Sequence, residues 1–303
     1  MDLRKFNPSA ADVDAATRLL AYQPFIISDE VCTGVAYNWL HAENAETAWQ
    51  TAREVYDLKS AGPEKFRVAQ EANAMLRKTY DHFISGICKA FPGGSYLDVS
   101  CNTGYFPIAA SLLGMKDAAG MDPLDHADAF QLLNRITGAK AEFIRGGYLP
   151  APPSLAVRTA EGAEPFRRQF DVVSNLEFMC HLADPLHFLH AIARHAKKAV
   201  FLWSGFIQSD EYLIRLNPPL GSFPSGFQDY FFSRFSSGTA ITTGLLFRSM
   251  AMLDFPVIVE FNYPAGGLPP NWHEKNMAQY QPHRAFLFAK AESETQIREA
   301  LGG

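Results

Sequence analysis

The chain has 303 residues, 48% hydrophobic and 19% charged, proportions that exclude a disordered chain and supply a large core. Its net charge of −5 and pI near 6.0 argue against a general nucleic-acid binder, which carries a basic footprint. The four cysteines, Cys32, Cys88, Cys101 and Cys180, form no Cys-x-x-Cys pair, so neither a zinc knuckle nor a redox motif is indicated, and a reducing, cytoplasmic setting is expected.

The start, Met1 to Lys5, has no apolar run behind it, so no signal peptide is expected, and no run is long enough to cross a bilayer. Residues 9–21 and 43–58 carry apolar positions at helical spacing. Between them Tyr22 to Ile27 reads as extended. Residues 64–90 predict a long amphipathic helix, closed by Phe91-Pro92-Gly93-Gly94.

From Ser95 the pattern changes to alternating strands and helices. Strands are predicted at 95–99, 118–121, 141–145, 170–175 and 199–203, with helices at 107–113, 127–137 and 185–195 between them. Residues 150–169 read as a surface loop, and 206–240 as a lid or an insertion with its own short helices. Residues 255–261 and 284–289 read as a terminal antiparallel pair. The fold class expected is α/β: a doubly wound, mostly parallel sheet with an N-terminal helical cap. Two domains are expected, residues 1–94 as cap and substrate region and 95–303 as the ligand-binding core.

The densest signal is Tyr96-Leu97-Asp98-Val99-Ser100-Cys101-Asn102-Thr103-Gly104-Tyr105-Phe106. A buried strand stops at an acid, a turn of small residues follows, and an apolar helix begins. Such a turn brings backbone N–H groups close to a ligand at the carboxyl end of a parallel strand. The acid argues against a phosphate and suits a ligand that carries positive charge or offers hydroxyls. Asp122, in Gly120-Met121-Asp122-Pro123, follows Asp98 by 24 positions, a spacing that suits a ribose-binding acid. A helix-capping role is the alternative. A third stretch runs from Phe170-Asp171-Val172-Val173 through Asn175, Leu176 and Glu177 to His181-Leu182-Ala183-Asp184-Pro185.

In order and spacing these three stretches resemble the motifs of class I S-adenosylmethionine (SAM) methyltransferases, with Asp98 and Gly104 in place and Ser100 and Asn102 standing where glycines usually stand. The Cys101-to-Phe106 variant is similar to that of the branch containing tRNA wobble-uridine-modifying methyltransferases. The resemblance implies a Rossmann-like methyltransferase core with SAM as cofactor. It implies cofactor contacts from Asp98, Ser100, Asn102, Gly104, Tyr105 and Phe106 in the first motif, Asp122 and Pro123 in the second, and Asn175 and Leu176 in the third. The acid usual after the third strand is missing, and Gly147 and Tyr148 are expected to stand in for it beside the adenine.

His181 is the candidate base, since its free pKa suits work near pH 7. Glu177, four residues earlier, is expected to orient it or to touch the cofactor. Tyr22, Phe25, Tyr37, Phe206 and Tyr230 are expected to bind the substrate, because aromatic walls with a few polar groups suit a small organic ligand. No metal site is indicated by His, Cys or Asp spacing. The function expected is SAM-dependent methyl transfer to an oxygen, or a nitrogen or sulfur, of a small molecule. Two alternatives stand beside it: a tRNA wobble-uridine methyl- or carboxymethyl-transferase, and a non-catalytic SAM-binding protein.

Overall fold

Short apolar runs ending in acids form the centre of the sheet in the computed structural model, which describes residues 1–34, 55–150, 152–182, 184–217, 238–269 and 282–302. Helix α1, Ala10–Leu19, starts at a capping box in which Ser9 and Asp12 satisfy each other's backbone N–H groups. Strands β1 (Val31–Thr33) and β2 (Val55–Asp57) pair antiparallel as a small ribbon. Most of the helix expected at 43–58 lies outside the described residues. Its last part is strand β2 and the first residue of α2, Leu58–Ala61. Helix α3, Pro63–Ala90, begins with proline where the missing N–H is not needed and buries Tyr80, Phe83, Ile84 and Ile87 along one stripe.

The large sheet begins at β3 (Ser95–Val99), followed by helix α4 (Tyr105–Leu112), β4 (Asp117–Asp122), helix α5 (Ala127–Thr137) and β5 (Glu142–Pro150). Strands β6 (Pro153–Thr159) and β7 (Gly162–Pro165) come next, then β8 (Phe170–Leu176), helix α6 (Pro185–Ala193) and β9 (Ala196–Ile207). Strands β5, β4, β3, β8 and β9 lie side by side in that order, all parallel. The chain steps from β3 outward to β4 and β5, then returns to the other side of β3 for β8 and β9. The reversal between β3 and β8 opens a crevice at their carboxyl ends.

Both edges are antiparallel. The loop expected at 150–169 is instead a hairpin: the outer half of β5 pairs with β6, and β6 with β7. Its prolines, Pro153 and Pro165, stand at strand ends, where no ladder N–H is lost. On the other side, β10 (Ile214–Asn217) pairs with β11 (Gly238–Thr242), helix α7 spans Thr243–Met252, β12 is Val257–Phe261 and β13 is His283–Ala289. Strand β13 pairs with β9 along seven residues, from His283 opposite Gly205 to Ala289 opposite Ala199, and with β12 on its outer side. Between β10 and β11, residues 218–237 of the expected insertion lie outside the described residues.

The sheet is covered on both faces. Ala199, Phe201 and Trp203 of β9 point into a core shared with α3, α4 and α5, together with Ile297 of the final helix α8, Glu294–Leu301. Val200 and Leu202 point into a second core with Phe188 and Leu189 of α6 and Leu246 and Met250 of α7. Among the described residues, no helix is long and apolar enough to cross a membrane.

Candidate functional site

The crevice is a cavity of about 540 Å³ at the carboxyl ends of β3, β4 and β8. Its floor is the turn after β3. Ser100 and Asn102 hold left-handed backbone, at φ of 66° and 51°, in the two positions where glycine would do so without strain. Asn102 tolerates this conformation because its side chain closes the local turn, accepting the N–H of Thr103 at 2.7 Å. Gly104 caps α4 at φ of 95°, and a Cβ there would stand 2.4 Å from the Phe130 ring. Only glycine satisfies both conditions. Gly104 is therefore structural, below the cavity rather than in its lining. Tyr105 also lies outside the lining: it is fully buried and donates its hydroxyl to Asp81 at 2.6 Å. Phe106 lines the cavity.

Two carboxylates close the floor. Asp98 is 2% exposed and accepts Ser174 Oγ at 2.7 Å. Burial, reinforced by the nearby charge of Asp122, pushes its carboxyl up to about 8 against that hydrogen bond. Asp122 accepts the N–H of Asn102 and the N–H of Leu124, each at 2.9 Å. Burial still pushes it up to about 6. Both carboxyls therefore gain when a ligand brings positive charge or hydroxyl donors. Pro123, Leu124, Asp125 and His126 extend the wall beyond β4.

The end of β8 supplies the opposite wall: Leu176, Glu177, Phe178 and His181. Glu177 is also left-handed, at φ of 58°. The conformation is held from both ends, by its N–H to the Trp203 carbonyl at 2.8 Å and its carbonyl from Cys180 Sγ at 3.2 Å. Its Oε2 lies 2.9 Å from Nε2 of the buried His283 on β13. Its Oε1 is buried and has no hydrogen-bond partner among the described residues. His181 faces the same cavity, and burial pushes its imidazole down to about 4, so the ring is neutral at physiological pH.

The roof comes from the N-terminal segment and α3. Leu19, Ala21, Tyr22 and Gln23 line the cavity, as does Tyr80. Tyr80 stands edge-on to Tyr105, Phe106 and Trp203 with ring centroids 5.0, 4.8 and 5.6 Å away. The charges of Asp98 and Glu177 both act on its phenol, which burial already holds far above its ordinary range. Tyr80 thus stands within the field of both walls. Gln23 is a buried clamp: Oε1 accepts the Tyr105 N–H at 2.9 Å and Thr103 Oγ1 at 3.0 Å, and Nε2 donates to the Cys101 carbonyl at 3.1 Å.

Ten of the residues singled out in the sequence meet in this cavity: Tyr22, Asp98, Ser100, Asn102, Phe106, Asp122, Pro123, Leu176, Glu177 and His181. Others stand elsewhere. Asn175 is buried, ties β8 to β3 through the Val99 carbonyl at 2.8 Å and accepts the Met179 N–H at 3.1 Å, so its amide is spent on the sheet. Gly147 pairs with Ala156 on the outer half of β5, and Tyr148 donates its hydroxyl to Asp184 at 2.7 Å. Neither lines the cavity. Phe25 and Phe206 are fully buried core residues, against Tyr105 and Phe286 respectively. Tyr37 and Tyr230 lie outside the described residues. Glu177 is expected to orient His181 or to touch the cofactor; it lines the cavity beside His181, and its carboxylate contacts His283 at 2.9 Å.

Four site residues carry little or no local signal. His283, Gln23 and Tyr80 are brought in by long-range pairing, and Phe178 reads as one more apolar residue. The only hint is Gln23 itself, a polar residue inside the apolar run Tyr22-Gln23-Pro24-Phe25. Among the described residues, no cluster of His, Cys, Asp and Glu could hold a metal ion.

A family model described as a methyltransferase domain matches residues 70–233, more than half of the chain. No curated protein matches the sequence. Among solved structures, the magnesium protoporphyrin IX methyltransferase of Synechocystis PCC 6803 with bound SAM is 12% identical, with 74% of this chain and 83% of that one covered at a TM-score of 0.46. An O-methyltransferase family protein of Burkholderia thailandensis is 14% identical over 84% of this chain and 66% of that one, at a TM-score of 0.45. A 1,6-didemethyltoxoflavin N1-methyltransferase of the same organism is 13% identical over 70% and 79%, at 0.43. Likenesses this distant carry nothing about substrate.

Proposed function

The chain belongs to the methyltransferase-domain family, and from that premise we propose that it transfers a methyl group from SAM to an oxygen, nitrogen or sulfur of a small organic molecule. The observation that carries this reading is the pair of buried carboxyls, Asp98 and Asp122, at the ends of adjacent parallel strands and lining one cavity. SAM supplies a methyl carbon bound to a positively charged sulfur, beside a ribose and an ammonium group.

The residues suit those groups. Asp122 would accept the ribose hydroxyls. Asp98, with Ser100 and Asn102, would hold the methionine end, and Pro123 with Leu124 would cover the base. The ammonium and sulfonium charges relieve the electrostatic penalty on carboxyls buried without a cation. Phe106, Tyr22, Tyr80 and Phe178 wall the cavity and exclude water, which favours a displacement over hydrolysis. In this reading residues 1–94 act as a cap and substrate region over a core of 95–303.

The lining contains Asp98, Asp122, Asp125 and Glu177 and, among the described residues, no lysine or arginine. Such a lining offers no cationic partner to a phosphate backbone, which supports a small acceptor over a tRNA.

Isothermal titration with SAM and S-adenosylhomocysteine tests the proposal. Saturable binding of both is expected, and failure of both to bind would overturn it. A screen of small alcohols, amines and thiols for S-adenosylhomocysteine release then separates an enzyme from a silent binder.

A further inference from the structure

We propose that Glu177, held in place by His283, is the group that receives the acceptor's proton, and that the acceptor therefore carries an N–H or O–H bond. The inference rests on the methyltransferase reading above and names its substrate class.

Three observations converge. Glu177 ends β8 in a left-handed conformation fixed by Trp203 and Cys180, so its side chain is aimed by the backbone. Non-glycine residues keep such geometry only where their surroundings over-determine it, and such sites concentrate where function needs them. One carboxylate oxygen, Oε2, is bound to His283 Nε2 at 2.9 Å. A carboxylate only accepts, so Nε2 carries the hydrogen. His283 reaches across β9 opposite Gly205, which has no side chain to intervene. The second oxygen, Oε1, is buried, has no hydrogen-bond partner among the described residues, and belongs to a residue that lines the cavity. A buried acceptor atom without a donor is costly, and a ligand N–H or O–H removes that cost.

The position is right for a proton acceptor. The ribose end is set by Asp122 on β4 and the methionine end by Asp98 on β3, so the next strand along, β8, faces the group being transferred. As the acceptor nitrogen or oxygen bonds the methyl carbon, its proton moves to Glu177 Oε1. The electron pair of the broken carbon–sulfur bond stays on sulfur. One positive and one negative charge vanish together, so no net charge is created in the buried site. His181, neutral and with a poorly basic ring, is a lesser proton acceptor from the same cavity. His283 is a positioning residue.

Binding measurements test this without knowing the acceptor. Sinefungin carries an amine-bearing carbon where SAM carries its methyl-bearing sulfur, and so places N–H donors at the transfer position. S-adenosylhomocysteine has nothing there. The wild-type protein should bind sinefungin about 10-fold or more tightly than S-adenosylhomocysteine. Glu177→Gln should reduce that ratio to within about 2-fold while S-adenosylhomocysteine affinity holds, showing the fold intact. His283→Leu should lose the preference likewise, and His283→Gln, which keeps a donor, should restore most of it. A preference that survives in Glu177→Gln overturns the proposal. So does an equal loss for both ligands, which would place Glu177 on a part they share. If the wild type binds neither ligand, the methyltransferase reading fails and this proposal falls with it.

Discussion

Gln23 Oε1 accepts the backbone N–H of Tyr105 at 2.9 Å, across 82 residues of sequence. One side-chain amide thus joins the N-terminal segment to the first turn of the helix that follows the ligand-binding loop. The roof of the cavity and its floor are one hydrogen-bonded unit.

Replacing Gln23 with Leu leaves the Tyr105 N–H without its partner, while the Cys101 carbonyl loses one of two donors and keeps the Gly104 N–H. A buried group so stranded costs about 1–3 kcal/mol. The expected outcome is a protein destabilised by about 1–3 kcal/mol, with SAM affinity reduced about 10-fold. Chemical denaturation and calorimetric titration check the two effects separately. Full SAM affinity in a destabilised variant would show that the clamp serves folding alone.

Burial raises Asp98 to about 8 and Asp122 to about 6, both above the unfolded carboxyl value of about 3.9. The folded state therefore binds more protons than the unfolded one across that interval, and stability falls as pH rises through it. The melting temperature of the ligand-free protein should drop from about pH 5 to about pH 8, and Asp98→Asn should flatten the upper part of the fall. A cationic ligand favours the ionised carboxyl, so SAM binding near neutral pH should release a proton. Titration in two buffers of different ionisation enthalpy reads that release directly.

Asp122 would contact a part of the cofactor that SAM and S-adenosylhomocysteine have in common. Asp122→Ala should weaken both by the same factor, about 10-fold or more, because it also frees the N–H groups of Asn102 and Leu124. Unequal losses would place Asp122 nearer the sulfur than the ribose.

Gly104 and Gly114 both hold positive φ, at 95° and 91°, yet only at Gly104 does an added Cβ meet a neighbour, the Phe130 ring at 2.4 Å. Gly114→Ala should cost about 1 kcal/mol of backbone strain. Gly104→Ala should cost about 1–3 kcal/mol more, because Phe130 must move within a packed core. Urea unfolding of the two variants compares them.

The parallel centre of the sheet was legible because strands buried on both faces read as apolar runs, and theirs end in acids that cannot continue inward. The β6–β7 hairpin was not, because an edge ribbon buries only Leu155 and Ala156 and needs no apolar period. The strand-end residues Asp98, Asp122 and Glu177 were readable for the same reason as the strands. Phe25 and Phe206 were misplaced because an aromatic residue gives the same signal in a core as in a binding wall. His283 became visible only with the pairing of β13 to β9, a register that local sequence does not encode. Tyr80 was hidden within the apolar stripe of α3, from which it differs only by a hydroxyl.

Of the six non-glycine residues at positive φ among the described residues, four border the cavity: Tyr22, Ser100, Asn102 and Glu177. Left-handed backbone costs a side-chain-bearing residue about 1 kcal/mol or more. The rim therefore holds a few kcal/mol of conformational energy that glycines would release, less the extra entropy that glycine gives the unfolded chain. In a laboratory evolution experiment selecting for heat resistance alone, these are positions where glycine should accumulate first. The lineages that accept it would exchange a shaped cavity for a slack one, and thermostability would rise as ligand selectivity decays.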